Sequence, residues 1–227
     1  MDCPHCHRCH VVKNGHRNGK QSYRCRDCRR QFRENPQPRV YPAEVKALCV
    51  KMYLNGMGFR AIERVTEISH NSVIQWVREF ESAIEEENDD IPETAQIDEL
   101  QTFVGSKKNK IWLWTVVNTK AAGILKFVVG DRSLETFRRL WRSIRGWECF
   151  LYITDGYPVY PCLIDDCDDL VGKTVMTRVE GENCRLRHYL ARLHRKTLCY
   201  SKSIEMLTLS VRLLMYYLKH RQLPQIA

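Results

Sequence analysis

Residues 95–130 read AQIDELQTFVGSKKNKIWLWTVVNTKAAGILKFVVG, and this stretch decides the fold. Its apolar and β-branched residues come in short runs, interrupted at Gly105-Ser106-Lys107 and Asn118-Thr119-Lys120 by residues that favour turns. The pattern predicts strands over 95–104, 110–118 and 123–130. A helical period follows over 133–144, carried by Phe137, Leu140, Trp141 and Ile144, and then a continuous apolar strand over 149–154. A three-stranded meander, a crossover helix and a further strand make a mixed α/β sheet flanked by helices. Function in such sheets gathers at strand ends where the topology switches.

Three carboxylates fit that expectation. Asp155 follows the strand at 149–154, in Thr154-Asp155-Gly156-Tyr157, where Gly156 lets the backbone turn closely beside the acid. Asp98 lies within the first strand, in Gln96-Ile97-Asp98-Glu99-Leu100. At the centre of a sheet it is costly unless paired or bound to metal; the alternative is an ordinary acid at a strand edge or start. The third acid comes from a helix after Thr177. At 100° per residue Glu180, Asn183, Arg187, Ala191 and His194 share one face. Leu186, Tyr189, Leu190 and Leu193 form the core stripe, and Arg185, His188, Arg192, Arg195 and Lys196 line the other flank as a cationic ridge. Three clustered carboxylates without a counter-ion repel one another and take up protons. Hard oxygen ligands of this kind suit Mg²⁺ or Mn²⁺, and a pair of such ions supports phosphodiester transfer.

The head of the chain carries a different metal chemistry. Cys3-Pro-His-Cys6 and Cys25-Arg-Asp-Cys28 are two Cys-x-x-Cys knuckles, a pattern that closes a tetrahedral zinc shell and lets a segment too small for its own core fold. Cys6-His-Arg-Cys9 is a competing register for the first knuckle; the stiffening by Pro4 favours Cys3 and Cys6. Disulfides in a small secreted domain are the other reading of such cysteines. Neither an apolar signal segment nor a run near the roughly 20 apolar residues of a membrane span is seen, which points to a reducing, cytoplasmic compartment and no membrane partner. Residues 1–40 hold ten Lys or Arg against three acids, a net +7, with Tyr23 and Phe32 interleaved. That composition suits a phosphate backbone, with Lys13 and Arg17 as contacts.

Between these regions the apolar spacing is helical. Helices are expected over 43–54 (Val45, Leu48, Cys49 and Met52 inward), 59–66 (Ile62, Val65) and 70–83, with Asn55-Gly56 ending the first and Ser69 capping the third. In the third, Val73, Trp76, Val77 and Phe80 recur at i, i+3, i+4 and i+7, which leaves Asn71, Ser72, Gln75 and Arg78 outward. This is the layout of a helix-turn-helix whose last helix reads DNA. The 227-residue chain has a net charge of +9, yet residues 85–99 hold eight acids and no base, which marks a solvated linker.

The chain resembles transposases of the bacterial insertion-sequence-one family. Val11-Val12-Lys13-Asn14-Gly15, Tyr23-Arg24-Cys25 and Cys28-Arg29-Arg30-Gln31-Phe32 look like that family's zinc segment. Asp98-Glu99, Phe103-Val104-Gly105-Ser106-Lys107-Lys108, Trp112-Leu113-Trp114, Thr154-Asp155-Gly156-Tyr157, Arg195-Lys196-Thr197 and Ser201-Lys202-Ser203 look like its catalytic half. The resemblance implies a ribonuclease-H-like catalytic domain of the DDE type, with Asp98, Asp155 and Glu180 as metal ligands. Two departures stand out: Leu100-Gln101 replaces an aromatic residue after the first Asp-Glu, and Glu180-Gly181-Glu182-Asn183 leaves Glu182 as a rival third acid.

The expected organisation is multidomain α/β: a zinc ribbon over 1–38, a helix-turn-helix over 42–84, an acidic linker over 85–95 and the catalytic domain over 96–227. The expected activity is binding of an element's terminal inverted repeats, metal-dependent end cleavage and strand transfer. Partners would be double-stranded DNA, both element ends and target, and at least one further copy of the chain, since two ends must be brought together at the bacterial nucleoid. Ile204, Leu207, Val211, Leu214 and Leu218, near heptad spacing, offer either that interface or packing on the chain's own sheet. A DNA-binding regulator with a degenerate catalytic fold, and a nuclease without strand transfer, are the rival readings.

Overall fold

A computed structural model describes residues 1–17, 19–33, 41–85, 91–194 and 196–226. It forms two compact units, Met1–Pro42 and Ala43–Ala227. In the first, β1 (Val11–Arg17), β2 (Lys20–Cys25) and β3 (Gln31–Arg33) make a small antiparallel sheet in that order. The turn from β2 to β3 carries the second cysteine knuckle, and Tyr23 stacks on Phe32 across the two strands with ring centroids 5.9 Å apart.

The second unit opens with three helices, α1 (Ala43–Leu54), α2 (Phe59–Thr66) and α3 (His70–Ser82). Glu67 takes a left-handed conformation that ends α2, and the Ser69 side chain accepts from the Asn71 amide to start α3. Val73, Trp76, Val77 and Phe80 are buried, as their spacing predicts. The inward faces of the first two helices differ from expectation. In α1 the buried residues are Cys49, Val50, Tyr53 and Leu54, while Leu48 is 53% exposed; in α2 Ile62 is buried and Val65 is 65% exposed. The sequence of α1 is apolar on several sides, so periodicity alone does not choose a face. Tertiary packing does: Tyr53 stacks on Phe59 at 4.4 Å and shares a 2.6 Å hydroxyl hydrogen bond with Ser210.

The large sheet has the order β6-β5-β4-β7-β8, built from β4 (Thr94–Val104), β5 (Ser106–Asn118), β6 (Ile124–Gly130), β7 (Leu151–Thr154) and β8 (Asp169–Val171). β4, β5 and β6 form the antiparallel meander, and β7 and β8 join parallel to β4. Gly105, at φ +75°, alone makes the turn from β4 to β5, tighter than the three-residue turn expected. The strand expected over 149–154 begins only at Leu151, and β8 is too short for any period to register.

Helices α4 (Leu134–Ile144), α5 (Thr177–Tyr189) and α6 (Ile204–His220) complete the unit. One face of the sheet presents Ala95, Ile97, Trp114 and Val116 to Phe137, Leu140 and Ile144 of α4. On the other, Val117 and Ile153 pack against Met176 and Val179 at the start of α5. The period-2 alternation of β4 therefore sends Gln96, Asp98 and Thr102 toward α5 and its continuation, and Ile97 and Glu99 to the opposite side.

The acidic stretch separates the helical reader from the sheet in sequence, but the two pack together in space. Its residues 86–90 lie outside the described residues. Helix α6 bridges them: Arg212 pairs with Glu81 at 2.9 Å and Glu205 with Arg78 at 3.4 Å, beside the Tyr53–Ser210 contact. No described helix is long and apolar enough to cross a membrane.

Candidate active site and metal centre

The four sulfur atoms of Cys3, Cys6, Cys25 and Cys28 all lie within 4.8 Å of one another, with Cys3–Cys28 and Cys6–Cys25 each at 3.6 Å. A tetrahedral ZnS₄ unit with bonds of about 2.3 Å has sulfur–sulfur edges near 3.8 Å, so the cluster fits zinc as it stands. Cys9 is exposed and outside the cluster, which settles the register of the first knuckle. Burial pushes the Cys3 thiol up, but the His5 and Cys6 amides and its sulfur neighbours bring it down to about 7. Cys6 keeps its proton to about 12: the Arg8 amide lowers it, while burial and the other three sulfurs raise it further. A soft divalent ion resolves the competition between Cys3 and Cys6 for one proton, since it binds cysteine sulfurs as thiolates.

The carboxylates assemble by a different route. In the parallel ladder Gln96 of β4 faces Ile153 of β7, and carrying that register two residues forward sets Asp98 level with Asp155. Asp155 leaves β7 into a turn in which its Oδ1 accepts from the Tyr157 amide at 3.0 Å. Gly156 sits at φ +77°, and a Cβ there would meet Val171 at 2.8 Å, so both backbone freedom and space require glycine. Helix α5 brings the third acid. Gln96 clamps the helix start, donating to the Val175 carbonyl at 2.7 Å and accepting from the Val179 amide at 2.9 Å.

One turn further along α5, buried Asn183 donates to Asp98 Oδ2 at 2.8 Å and accepts from Thr115 at 3.0 Å. Glu180 lies three residues before Asn183 and so stands on the same face, toward Asp98. Burial pushes the Asp98 carboxyl above its ordinary range; the Glu99 amide and Asn183 oppose this, and the negative charges of Asp155 and Glu180 push it further up. Among the described residues only the cysteines bring three or more metal-type ligand atoms within 4.8 Å of one another, so the carboxylates are neighbours that stay apart. An all-oxygen donor set of this kind suits a hard divalent cation.

Glu182 is directed elsewhere. It is buried, accepts from the Gly123 amide at 2.9 Å and pairs with Arg185 at 3.2 Å, tying α5 to the loop before β6. The cationic ridge expected along this helix is not continuous. Helix α5 stops at Tyr189, Leu190 turns extended, and a single 3-10 turn follows, so the residues beyond no longer share the helical phase. Arg192 is buried rather than presented to solvent: it donates to Ser201 at 2.9 Å, and its guanidinium lies 5.0 Å from the Tyr53 ring and 5.4 Å from the Phe59 ring. It fastens the first three helices to the core and is not presented to solvent as the DNA contact expected of it would be. Arg187 is half-buried, Lys196 is exposed, and Arg195 lies outside the described residues.

On α3, Asn71, Gln75 and Arg78 are exposed and Ser72 is half-buried; the Arg78 guanidinium faces Glu205. Lys13 is exposed on β1, and the Arg17 side chain lies outside the described residues. Sequence reasoning missed the partners that surround the acids: Gln96 and Thr115 on α5's side of the sheet, and Glu99, Arg132 and Tyr160 on the other. For Gln96, Thr115 and Glu99 the only signal was polarity inside apolar strands; Arg132 and Tyr160, in the segments after β6 and β7, gave none.

A family model described as IS1 transposase matches residues 93–222, a span that includes all three carboxylates. The insertion element iso-IS1n protein InsB of Shigella dysenteriae is 36% identical over 110 residues, 48% of this chain and 84% of that protein. The insertion element IS1 protein InsB of Shigella flexneri is 34% identical over 112 residues, 49% of this chain and 86% of that protein. An insertion element IS1 protein InsB of Escherichia coli strain K12 is 32% identical over 117 residues, 52% and 70% of the two chains. With more than half of its length matched by the family model, the chain belongs to the IS1 transposase family.

Proposed function

We propose that this transposase binds the terminal inverted repeats of its own element, cuts at the element ends and joins the exposed 3′-hydroxyls to target DNA. The observation that carries the reading is the convergence of Asp98, Asp155 and Glu180 from a strand, a strand end and a helix, set by the β4–β7 register and by the Asn183 hydrogen bond to Asp98. The sheet order, three antiparallel strands continued by two parallel ones, supports a ribonuclease-H-like catalytic domain. The three acids would hold Mg²⁺ or Mn²⁺. A bound pair of such ions would supply an activated water or 3′-hydroxyl and neutralise the leaving oxygen. The chain's own residues prepare the site: Asn183 fixes the rotation of Asp98, the Tyr157 amide fixes Asp155, and Gln96 seats the helix that carries Glu180.

Cys3, Cys6, Cys25 and Cys28 would hold a structural zinc that folds the basic arm. In the reader, Asn71 and Gln75 would meet base edges, with Ser72 and Arg78 beside them; Arg78 would exchange Glu205 for a phosphate. Lys13, Arg17, Arg185, Arg187, Arg195 and Lys196 are proposed backbone contacts, and their contribution should weaken with salt. Joining two ends calls for at least two copies of the chain, acting on chromosomal DNA in the cytoplasm.

The test uses the zinc-loaded full chain, labelled element ends, a target plasmid and Mg²⁺. Joined product linked through the 3′ end is expected. Specific binding without cleavage would favour a regulator, and cleavage without joining a nuclease.

A further inference from the structure

Asp98 and Glu99 are adjacent on β4 and point to opposite sides of the sheet. Asp98 belongs to the carboxylate group; Glu99 makes a second polar cluster directly behind it. The Glu99 side chain is only 3% exposed. Its Oε2 accepts from the Tyr160 hydroxyl at 2.7 Å, and its Oε1 accepts from Arg132 Nε at 2.8 Å and from a second guanidinium nitrogen. Burial raises this carboxyl, while the Tyr160 and Arg132 hydrogen bonds favour its ionised form. Tyr160 is itself buried beside that negative charge, which keeps the phenol protonated and therefore a donor.

Both partners reach the segment that carries Asp155. The Arg132 guanidinium lies over the Tyr157 ring, 3.9 Å from its centroid, and the Tyr157 hydroxyl donates to the Arg132 carbonyl at 3.0 Å. The same Tyr157 supplies the amide that holds Asp155 Oδ1. Tyr160, three residues on, is anchored on Glu99. The turn after β7 is thus fastened at two points, Tyr157 and Tyr160, to one buried carboxylate and its arginine. Without them it has a four-residue strand behind it and exposed residues at Asp155, Gly156 and Pro158.

We propose that Glu99 and Arg132 form a positioning pair, which through Tyr157 and Tyr160 holds the turn that presents the Asp155 carboxylate beside Asp98 for a divalent ion. The inference rests on the carboxylates being the metal site. Residues one layer behind a metal ligand typically change metal affinity or activity by about 10–100-fold. Loss of the pair should therefore act on the metal and leave the DNA reader, on the far side of α6, unaffected.

Isothermal titration of Mn²⁺ into the zinc-loaded full chain, free of DNA, gives a readout independent of turnover. Glu99→Gln keeps the side chain's size and removes its charge; its Mn²⁺ affinity should fall about tenfold, with Tyr160→Phe weaker by a smaller factor of about three. The double substitution should lose little more than Glu99→Gln alone, because both act through one contact. In cleavage assays the half-saturating Mn²⁺ concentration should rise by the same factor, the rate at saturating Mn²⁺ should recover toward wild type, and end-DNA affinity should stay unchanged. Wild-type Mn²⁺ affinity in Glu99→Gln, or a loss of rate that saturating metal does not repair, overturns the proposal. Should Glu99→Gln fail to fold, Tyr160→Phe, which removes a single hydroxyl, decides in its place. Asp155→Ala is the control: if it binds Mn²⁺ as tightly as wild type, the metal-site reading itself fails, whereas its loss with an unaltered Glu99→Gln sinks only the positioning pair.

Discussion

The sulfur cluster of the first unit and the carboxylate group of the second are both candidate metal centres, and they are built in opposite ways. The four sulfurs converge, with pairs at 3.6 Å, because each knuckle is a tight local turn. The three carboxylates come from β4, the end of β7 and α5, and their oxygens do not all lie within 4.8 Å of one another. A local, soft site fixes its geometry through the backbone. A non-local, hard site depends on the whole fold to set its spacing and on the cation to close it.

The largest expected effect separates the two sites by what each holds up. Stripping zinc with a chelator, or Cys3→Ser, should unfold the first unit outright, since modules of this size have no core of their own. The melting of the second unit should not change, and Cys9→Ser should keep the metal. Native mass spectrometry with differential scanning calorimetry checks both, and a folded metal-free first unit would erase the contrast. Next in size is Glu182→Ala. It removes the acceptor of the half-buried Gly123 amide and of the Arg185 guanidinium and should cost about 1–3 kcal/mol in urea denaturation, with metal-dependent activity largely retained.

The smallest effect concerns the repulsion within the carboxylate group. A buried Asp with a raised pKa binds its proton more readily in the folded state, so the metal-free protein loses stability as pH rises from the ordinary carboxylate range through the raised value. Asp98→Asn should therefore raise the melting temperature of the metal-free chain at neutral pH, with the gain shrinking as pH falls. Mg²⁺ should reverse the order, stabilising the wild type and leaving the substituted chain unchanged. An Asp98→Asn chain less stable at neutral pH without metal would show that burial and the neighbouring acids do not hold the Asp98 carboxyl above its ordinary range.

Much of this was legible in the sequence, for reasons that differ by site. The knuckles announce themselves because ligand spacing is local. Asp155 stood out because Gly156 marks a strand end; Glu180 and Glu182 were rivals in the sequence, and in the fold Asn183, on the Glu180 face, meets Asp98 while Glu182 is engaged by the Gly123 amide. The face of α1 was not legible, since its burial is decided by Tyr53 meeting Phe59 and Ser210, the latter 157 residues away. Arg192 looked like a surface cation because the helical wheel was continued past Tyr189, where Leu190 turns extended. Glu99 gave no separate signal: beside Asp98 it read as a second acid in a strand, and only the alternation of β4 shows that it serves the opposite face.

The most direct test of the central claim measures Mg²⁺- or Mn²⁺-dependent end cleavage and strand transfer by wild type, Asp98→Ala, Asp155→Ala, Glu180→Ala and Glu182→Ala at matched occupancy of labelled element ends. The three carboxylates of the group should each lose activity by more than the roughly 100-fold upper range of residues lying behind a metal ligand, while Glu182→Ala stays near wild type. An active Glu180→Ala beside a dead Glu182→Ala would contradict the account.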